Sequence, residues 1–103
     1  MVVATAHLNQ RGTTQGGVFG VLADATAGWA SDAALTSGSY TTLEFKGNLV
    51  GAAPPGSRLV AEARPVHVGR RTLVHNVDVW SQTDTEGTPP RLVAFFTCTQ
   101  LVL

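Results

Sequence analysis

Residues 9–28 read NQRGTTQGGVFGVLADATAG. Two adjacent glycines, Gly16 and Gly17, open a run in which Val18, Phe19, Val21, Leu22, Ala23, Ala25, Ala27, Trp29 and Ala30 surround a helical axis almost completely. A helix apolar on all sides is a buried one, so the run predicts a central core helix ending near Leu35, where Thr36-Ser37-Gly38 breaks the pattern. One residue does not belong: Asp24, in the middle of the run.

The segments around this helix read as strands. Met1 to Leu8 is β-branched and apolar and is expected to form a strand, followed by a loop from Asn9 to Gln15. After the helix, strands are expected over Tyr40 to Leu49, Arg58 to His67, Thr72 to Thr83 and Leu92 to Leu103. Turn signals separate them at Gly51–Gly56, Gly69 and Asp84–Pro90. The order predicts an α+β fold in one domain over 1–103, with one long central helix wrapped by an antiparallel sheet of about five strands. Such a sheet has an edge, and edges often pair with a second copy of the chain.

Composition bounds the function. Charged residues are 14% of the 103, against about 25% in typical soluble domains. The deficit in polar cover points to surface buried against another chain. With zero formal net charge and one adjacent basic pair, Arg70-Arg71, the chain has no electrostatic footprint for nucleic acid or a membrane. Its longest apolar run, Val18 to Ala30, is shorter than the ~20 residues of a spanning helix and contains Asp24. A single cysteine, Cys98, fits a reducing cytoplasm. Met1 onward lacks the basic start of a signal peptide. His7, His67 and His75 are far apart, with no metal-ligand spacing, and are expected on strands, partly buried or at the surface. No Gly-x-Ser-x-Gly elbow is present. Cys98, Trp29 and Trp80 read as packing residues, with Trp29 also able to line a pocket. Glu44 reads as solvated and is the reserve carboxylate should Asp24 fail.

Chemistry therefore rests on Asp24 and the glycine pair. A carboxylate in an apolar setting is costly unless paired or hydrogen-bonded, and desolvation suits it to act as a general base. The alternative is that Asp24 faces solvent or caps a loop. The first amides of a helix lack intrahelical partners and carry the positive end of the dipole. Glycine lets a ligand approach them, so the Gly16 N–H is a candidate oxyanion donor. Asp24 lies eight residues beyond Gly16, ~12 Å along the axis. The two cannot act together on one atom within one chain, so a site shared between two subunits is expected.

The pattern Asn9-x-x-Gly12-x-x-Gln15-Gly16-Gly17, then Leu22-Ala23-Asp24 and Gly28, resembles the hotdog-fold acyl-CoA thioesterases of the phenylacetate-degradation (PaaI-like) type. Thr42-Leu43-Glu44-Phe45, Pro54-Pro55-Gly56 and Val68-Gly69-Arg70-Arg71 continue the likeness over nearly the whole chain. The resemblance implies hydrolysis of an acyl-CoA thioester by a homodimer or homotetramer. Asp24 would activate water or attack the thioester, and the Gly16 N–H would polarise its carbonyl. Asn9 would position the water or the carbonyl, and Thr42 would orient the water. Val68, Gly69, Arg70 and Arg71 would meet the pantetheine and nucleotide of coenzyme A, which enters only as part of the substrate. No separate cofactor is implied. The family usually has His where this chain has Gln15. Gln donates a hydrogen bond but cannot become a cation near neutral pH, so geometry is expected to survive while rate or substrate range changes. Relatives also carry further elements before the stretch that begins at Met1, so the chain reads as a short form or a late start. These two departures leave a non-catalytic hotdog that binds acyl-CoA or acyl-carrier thioesters as the alternative. A hydratase on the same fold ranks last, because no Asp–His pair of that kind is evident.

Overall fold

The alternation of buried and exposed positions in Thr72–Gln82 shows how the sheet meets the helix. Leu73, His75, Val77, Val79 and Ser81 all point inward and are buried. Period-2 side chains on a pleated strand allow one face to be wholly core while the other meets solvent. The structure, a computed structural model, describes all 103 residues. It contains one helix, α1 (Gly16–Ala34), and four strands: β1 (Tyr40–Leu49), β2 (Arg58–Val68), β3 (Thr72–Gln82) and β4 (Arg91–Val102). All pairings are antiparallel and the strand order is β1-β4-β3-β2. The sheet curls across α1, which packs against all four strands.

The fifth expected strand is absent. In Met1–Leu8 only Val2 bridges to the sheet, opposite Arg58, and Leu8 bridges back to Thr14. Residues 1–3 do run beside the start of β2: Val3 N–H donates to Ser57 O at 2.9 Å and Leu59 N–H to Met1 O at 2.7 Å. The chain then turns through a 3-10 helix at Thr5–His7. There the Ala4 N–H donates to His7 Nδ1 at 2.9 Å and the Gln15 N–H to His7 O at 2.8 Å. These local bonds compete with strand pairing, a competition that β-propensity alone does not reveal.

The helix is buried on one face, not all round. Phe19, Gly20, Ala23, Ala27 and Ser31 are buried against the sheet. On the opposite side Val21 is 74% and Trp29 68% exposed. A single sheet layer covers only one side of a rod, so the rest of the apolar surface stays open in one chain. The core beneath α1 comprises Leu59, Leu73, Val77, Val79, Val93, Ala94, Phe96 and Cys98, all nearly or fully inaccessible. Each fully buried Leu or Val contributes about 1.5–3 kcal/mol relative to exposure.

The helix crosses β1 on a row of small residues spaced by four. A Cβ on Gly16 would lie 2.7 Å from Leu49 Cδ1, one on Gly20 3.4 Å from Phe45 Cε2, and one on Gly28 3.0 Å from Tyr40 Oη. Residues four apart share a helix face, so Asp24 falls in the same row, between Gly20 and Gly28. Its neighbour on β1 is Thr42, not a ring. Across the sheet, a Cβ on Gly47 would overlap the Phe96 ring.

Candidate functional site

Asp24 is half-buried on this row. Its Oδ1 accepts a hydrogen bond from Thr42 Oγ1 at 3.0 Å. The pair opens into a cleft of about 300 Å³ lined also by Gly28, Trp29, Asp32 and Tyr40. Thr42 reaches Asp24 from just before a β-bulge, between Thr42 and Glu44, where the β1–β4 register shifts. A bulge re-aims side chains next to a site. The Tyr40 hydroxyl donates to Gly28 O at 2.8 Å. Partial burial, then the carboxylates of Asp32 and Asp24, raise its pKa.

Behind Thr42 lies a buried polar cluster. Gln100 Nε2 donates to Thr42 Oγ1 at 3.4 Å. Ser31 Oγ hydrogen-bonds Gln100 Oε1 and stands 2.9 Å from His75 Nε2. Ser31, His75 and Gln100 are fully inaccessible, so His75 is more deeply buried than its sequence suggested. Burial lowers its pKa and favours the neutral ring. Cys98, the core thiol, is pushed up to about 11 by burial and then by the Asp24 charge.

The helix start faces a different cavity. Gln15 is the N-cap residue in extended conformation, and its side chain makes no capping bond. The Val18 N–H already donates to Gln15 O at 3.0 Å, while the Gly16 and Gly17 amides have no intrahelical acceptor. Gly16 packs against Leu49, whereas no atom lies within 4 Å of a Cβ on Gly17. Gln15, Gly17, Val18, Val21, Leu22 and Ala25 line an apolar groove of about 520 Å³. Ala25 lines the Asp24 cleft as well, so both cavities lie along the open face of α1. Within one chain the Gly16 amide and Asp24 remain apart, against opposite ends of β1.

Asn9 ties its own loop. Its Oδ1 accepts from Arg11 N–H at 2.9 Å and Thr13 N–H at 3.3 Å, and its Nδ2 donates to Thr13 Oγ1 at 3.1 Å. This Asx-type turn holds the segment that delivers Gln15 to the helix. Val68 ends β2, and Gly69, Arg70 and Arg71 form the β2–β3 turn. A Cβ on Gly69 would lie 2.5 Å from His67 Nε2, and the Gly69 N–H donates to Thr72 O at 2.9 Å. Arg70 and Arg71 are exposed and in no ion pair. Because Leu73 pairs with Gln100, and Gln100 with Thr42, both arginines sit at the Asp24 end of the sheet.

Other expectations resolve individually. His7 lies in the 3-10 turn, not on a strand, and His67 is exposed on β2. Trp29 is largely exposed and lines the Asp24 cleft, so it is not a core packing residue of this chain. Glu44 is exposed. No helix is long and apolar enough to cross a membrane. Sequence reasoning passed over Ser31 and Gln100 and took His75 only as a strand residue. Their positions were readable: Ser31 continues the Phe19, Ala23, Ala27 row, and His75 shares the odd-numbered face of β3.

One long helix on a curled antiparallel sheet, carrying a hydroxyl-bound carboxylate midway and free glycine amides at its start, defines a hotdog-fold thioester hydrolase. The sequence profile of the Thioesterase superfamily matches residues 2–88, and the chain belongs to that superfamily. Among solved structures, the chain is 34% identical to a variant of the phenylacetic acid degradation protein PaaI from Thermus thermophilus, covering 99% of this chain and 80% of that one with a TM-score of 0.84. It is 30% identical to a Streptococcus mutans protein bound to acetyl CoA, covering 100% and 77% with a TM-score of 0.87. A hypothetical thioesterase from Streptococcus pneumoniae with coenzyme A is 29% identical, with 100% and 74% covered and a TM-score of 0.86. No curated protein sequence matches the chain significantly.

Proposed function

We propose that the protein hydrolyses an acyl-CoA thioester to the free acid and coenzyme A at a site completed by two copies of the chain. Asp24 of one subunit takes a proton from water as the water oxygen attacks the thioester carbon. The carbonyl oxygen becomes an oxyanion held by the helix-start amides of the other subunit, Gly16 with Gly17 beside it. Collapse of this intermediate breaks the C–S bond, and the coenzyme A thiolate recovers a proton. Thr42 holds the carboxylate, Asn9 fixes the loop that presents Gln15, and Gln15 lines the acyl groove. Val68 and Gly69 meet the pantetheine arm. Arg70 and Arg71 donate charge-assisted hydrogen bonds to phosphates.

The observation that carries the reading is the Thr42–Asp24 pair opening onto an exposed helix face whose other end presents free glycine amides. The exposed apolar side chains Val21 and Trp29 on that face, and Leu43, Phe45 and Leu49 on the β1 edge, support its burial by a second copy. Two streptococcal relatives holding acetyl CoA or coenzyme A support the substrate class. A panel of acyl-CoAs assayed with a thiol-reactive dye tests the proposal. The expected result is thiol release by the wild type and its loss in Asp24→Asn. Thermal stabilisation by CoA esters without thiol release favours the non-catalytic binder, which the unbonded Gln15 side chain motivates. Unchanged turnover in Asp24→Asn removes Asp24 from the mechanism.

A further inference from the structure

We propose that Ser31, His75 and Gln100 form a one-way hydrogen-bond relay that positions Asp24 through Thr42. The relay deepens the site described above and rests on Asp24 being its reacting carboxylate. None of the three touches the cleft chemistry directly except Gln100, which reaches its wall; they are positioning residues.

The donor and acceptor roles follow from one end of the chain of contacts. An ionised carboxylate only accepts, so the Thr42 hydroxyl donates to Asp24. Its single proton is then used, and Thr42 must accept from Gln100, which presents the amide Nε2. A flipped Gln100 would place its carbonyl against Thr42 and require the threonine proton twice. Gln100 therefore turns Oε1 to Ser31, whose hydroxyl donates to it. Ser31 can now only accept from His75, so His75 carries its proton on Nε2. The ring's Nδ1 is buried and unpartnered. In this tautomer Nδ1 offers only a lone pair, whereas the other tautomer or the imidazolium would bury an N–H donor with no acceptor, which native proteins rarely do. Every bond from His75 to Asp24 thus points the same way, and successive bonds of like direction polarise one another.

The placement is economical in sequence. His75 comes from β3, Gln100 from β4, Ser31 from α1 and Thr42 from β1, so four elements each contribute one member. The titratable groups near Asp24 are Asp32 on α1, Tyr40 on β1 and Cys98 on β4, while His75 on β3 contacts Ser31 instead. Removal of one link leaves the protein core largely apolar in shape but frees Thr42 to rotate away from the carboxylate.

The test pairs kinetics with a measurement on the unaltered protein. Gln100→Met and Thr42→Val are each expected to lower kcat about tenfold, the scale of one hydrogen bond to a charged group, with KM little changed. The double variant is expected to be no slower than the slower single one, and Thr42→Ser, which restores the hydroxyl, to regain most of the kcat lost in Thr42→Val. In long-range nitrogen–proton spectra of the wild type, His75 is expected as a neutral ring with a slowly exchanging Nε2 proton near neutral pH. A folded Gln100→Met with wild-type kcat, or multiplicative losses in the double variant, overturns the relay while leaving the thioesterase reading intact if Asp24→Asn is inactive. An Nδ1-protonated or charged His75 overturns the relay's direction irrespective of any activity. Turnover by Asp24→Asn overturns both readings together.

Discussion

The thiol of Cys98 offers a quantitative probe of the charge on Asp24. It is fully inaccessible in the core, and its pKa is raised from 9.0 to about 11, first by burial and second by the Asp24 carboxylate. Between pH 9 and 11 the unfolded chain loses this proton while the folded chain keeps it. The native state then binds more protons than the unfolded one, so stability falls as pH rises. The contribution is complete below pH 9 and is lost on passing about 11. Two pH units correspond to about 3 kcal/mol at 1.36 kcal/mol per unit. Urea unfolding at successive pH values is expected to show this extra alkaline loss in the wild type and its absence in Cys98→Ala, whose stability is lower but flatter. Asp24→Asn removes the second cause and leaves the first, so the thiol, followed by its ultraviolet thiolate absorbance, is expected to titrate lower than in the wild type but still above 9. A native thiol that ionises at its ordinary value, or an Asp24→Asn protein with an unmoved thiol, refutes the placement of a buried sulfur within electrostatic reach of a charged acid.

Four further outcomes follow from other contacts. His75 is neutral in the fold and takes up a proton on unfolding, so stability is expected to fall as pH drops below 6.5, and His75→Gln to flatten that acid limb in urea titrations. Gly47→Ala drives a methyl into the Phe96 ring and is expected to cost about 1–3 kcal/mol, the usual range for overpacking, as a lower urea midpoint with unchanged slope. Trp29→Glu places a charge on the open face of α1, which the proposed pairing of two copies covers, and is expected to sediment as a monomer beside a larger wild type in analytical ultracentrifugation; equal masses refute pairing through this face. Arg70→Ala with Arg71→Ala is expected to raise KM for acyl-CoA while leaving kcat/KM for the matching acyl-pantetheine unchanged, because only the former carries the nucleotide phosphates.

Local periodicity made most of the fold legible. The helix from Gly16 and the strand from Tyr40 to Leu49 stand where their patterns place them, and the other strand limits shift by a residue at most. Met1–Leu8 misled because only residues 1–3 run beside β2; from Ala4, whose N–H bonds the His7 side chain, the backbone turns, a local effect that alternation does not encode. The helix's all-round apolarity was read correctly as composition but not as burial within one chain, since the sheet supplies only one covering layer. Asp24 stood out as a charge in an apolar run. Thr42 entered only through family likeness, because a threonine on a strand has no pattern of its own. Ser31 and Gln100 escaped notice, and His75 reads only as a strand residue, for the opposite reason: each obeys its element's periodicity, and their meaning appears only when three elements meet.

The four-residue row along α1 has a consequence for alignment. Gly16, Gly20 and Gly28 each leave room for a side chain of β1, so this row by itself does not set the helix against a slip of one turn. Such a slip would carry the Asp24 carboxylate onto the Phe45 or Tyr40 ring and strand it without a donor, a costly outcome for a charge. The acid thereby acts as the key that fits one notch, much as a lone polar residue fixes the pairing frame of two zippered helices. Chemistry and alignment are stored in one side chain, and a variant with a fourth glycine at position 24 should lose both at once, its helix amides exchanging hydrogen faster than those of Asp24→Asn.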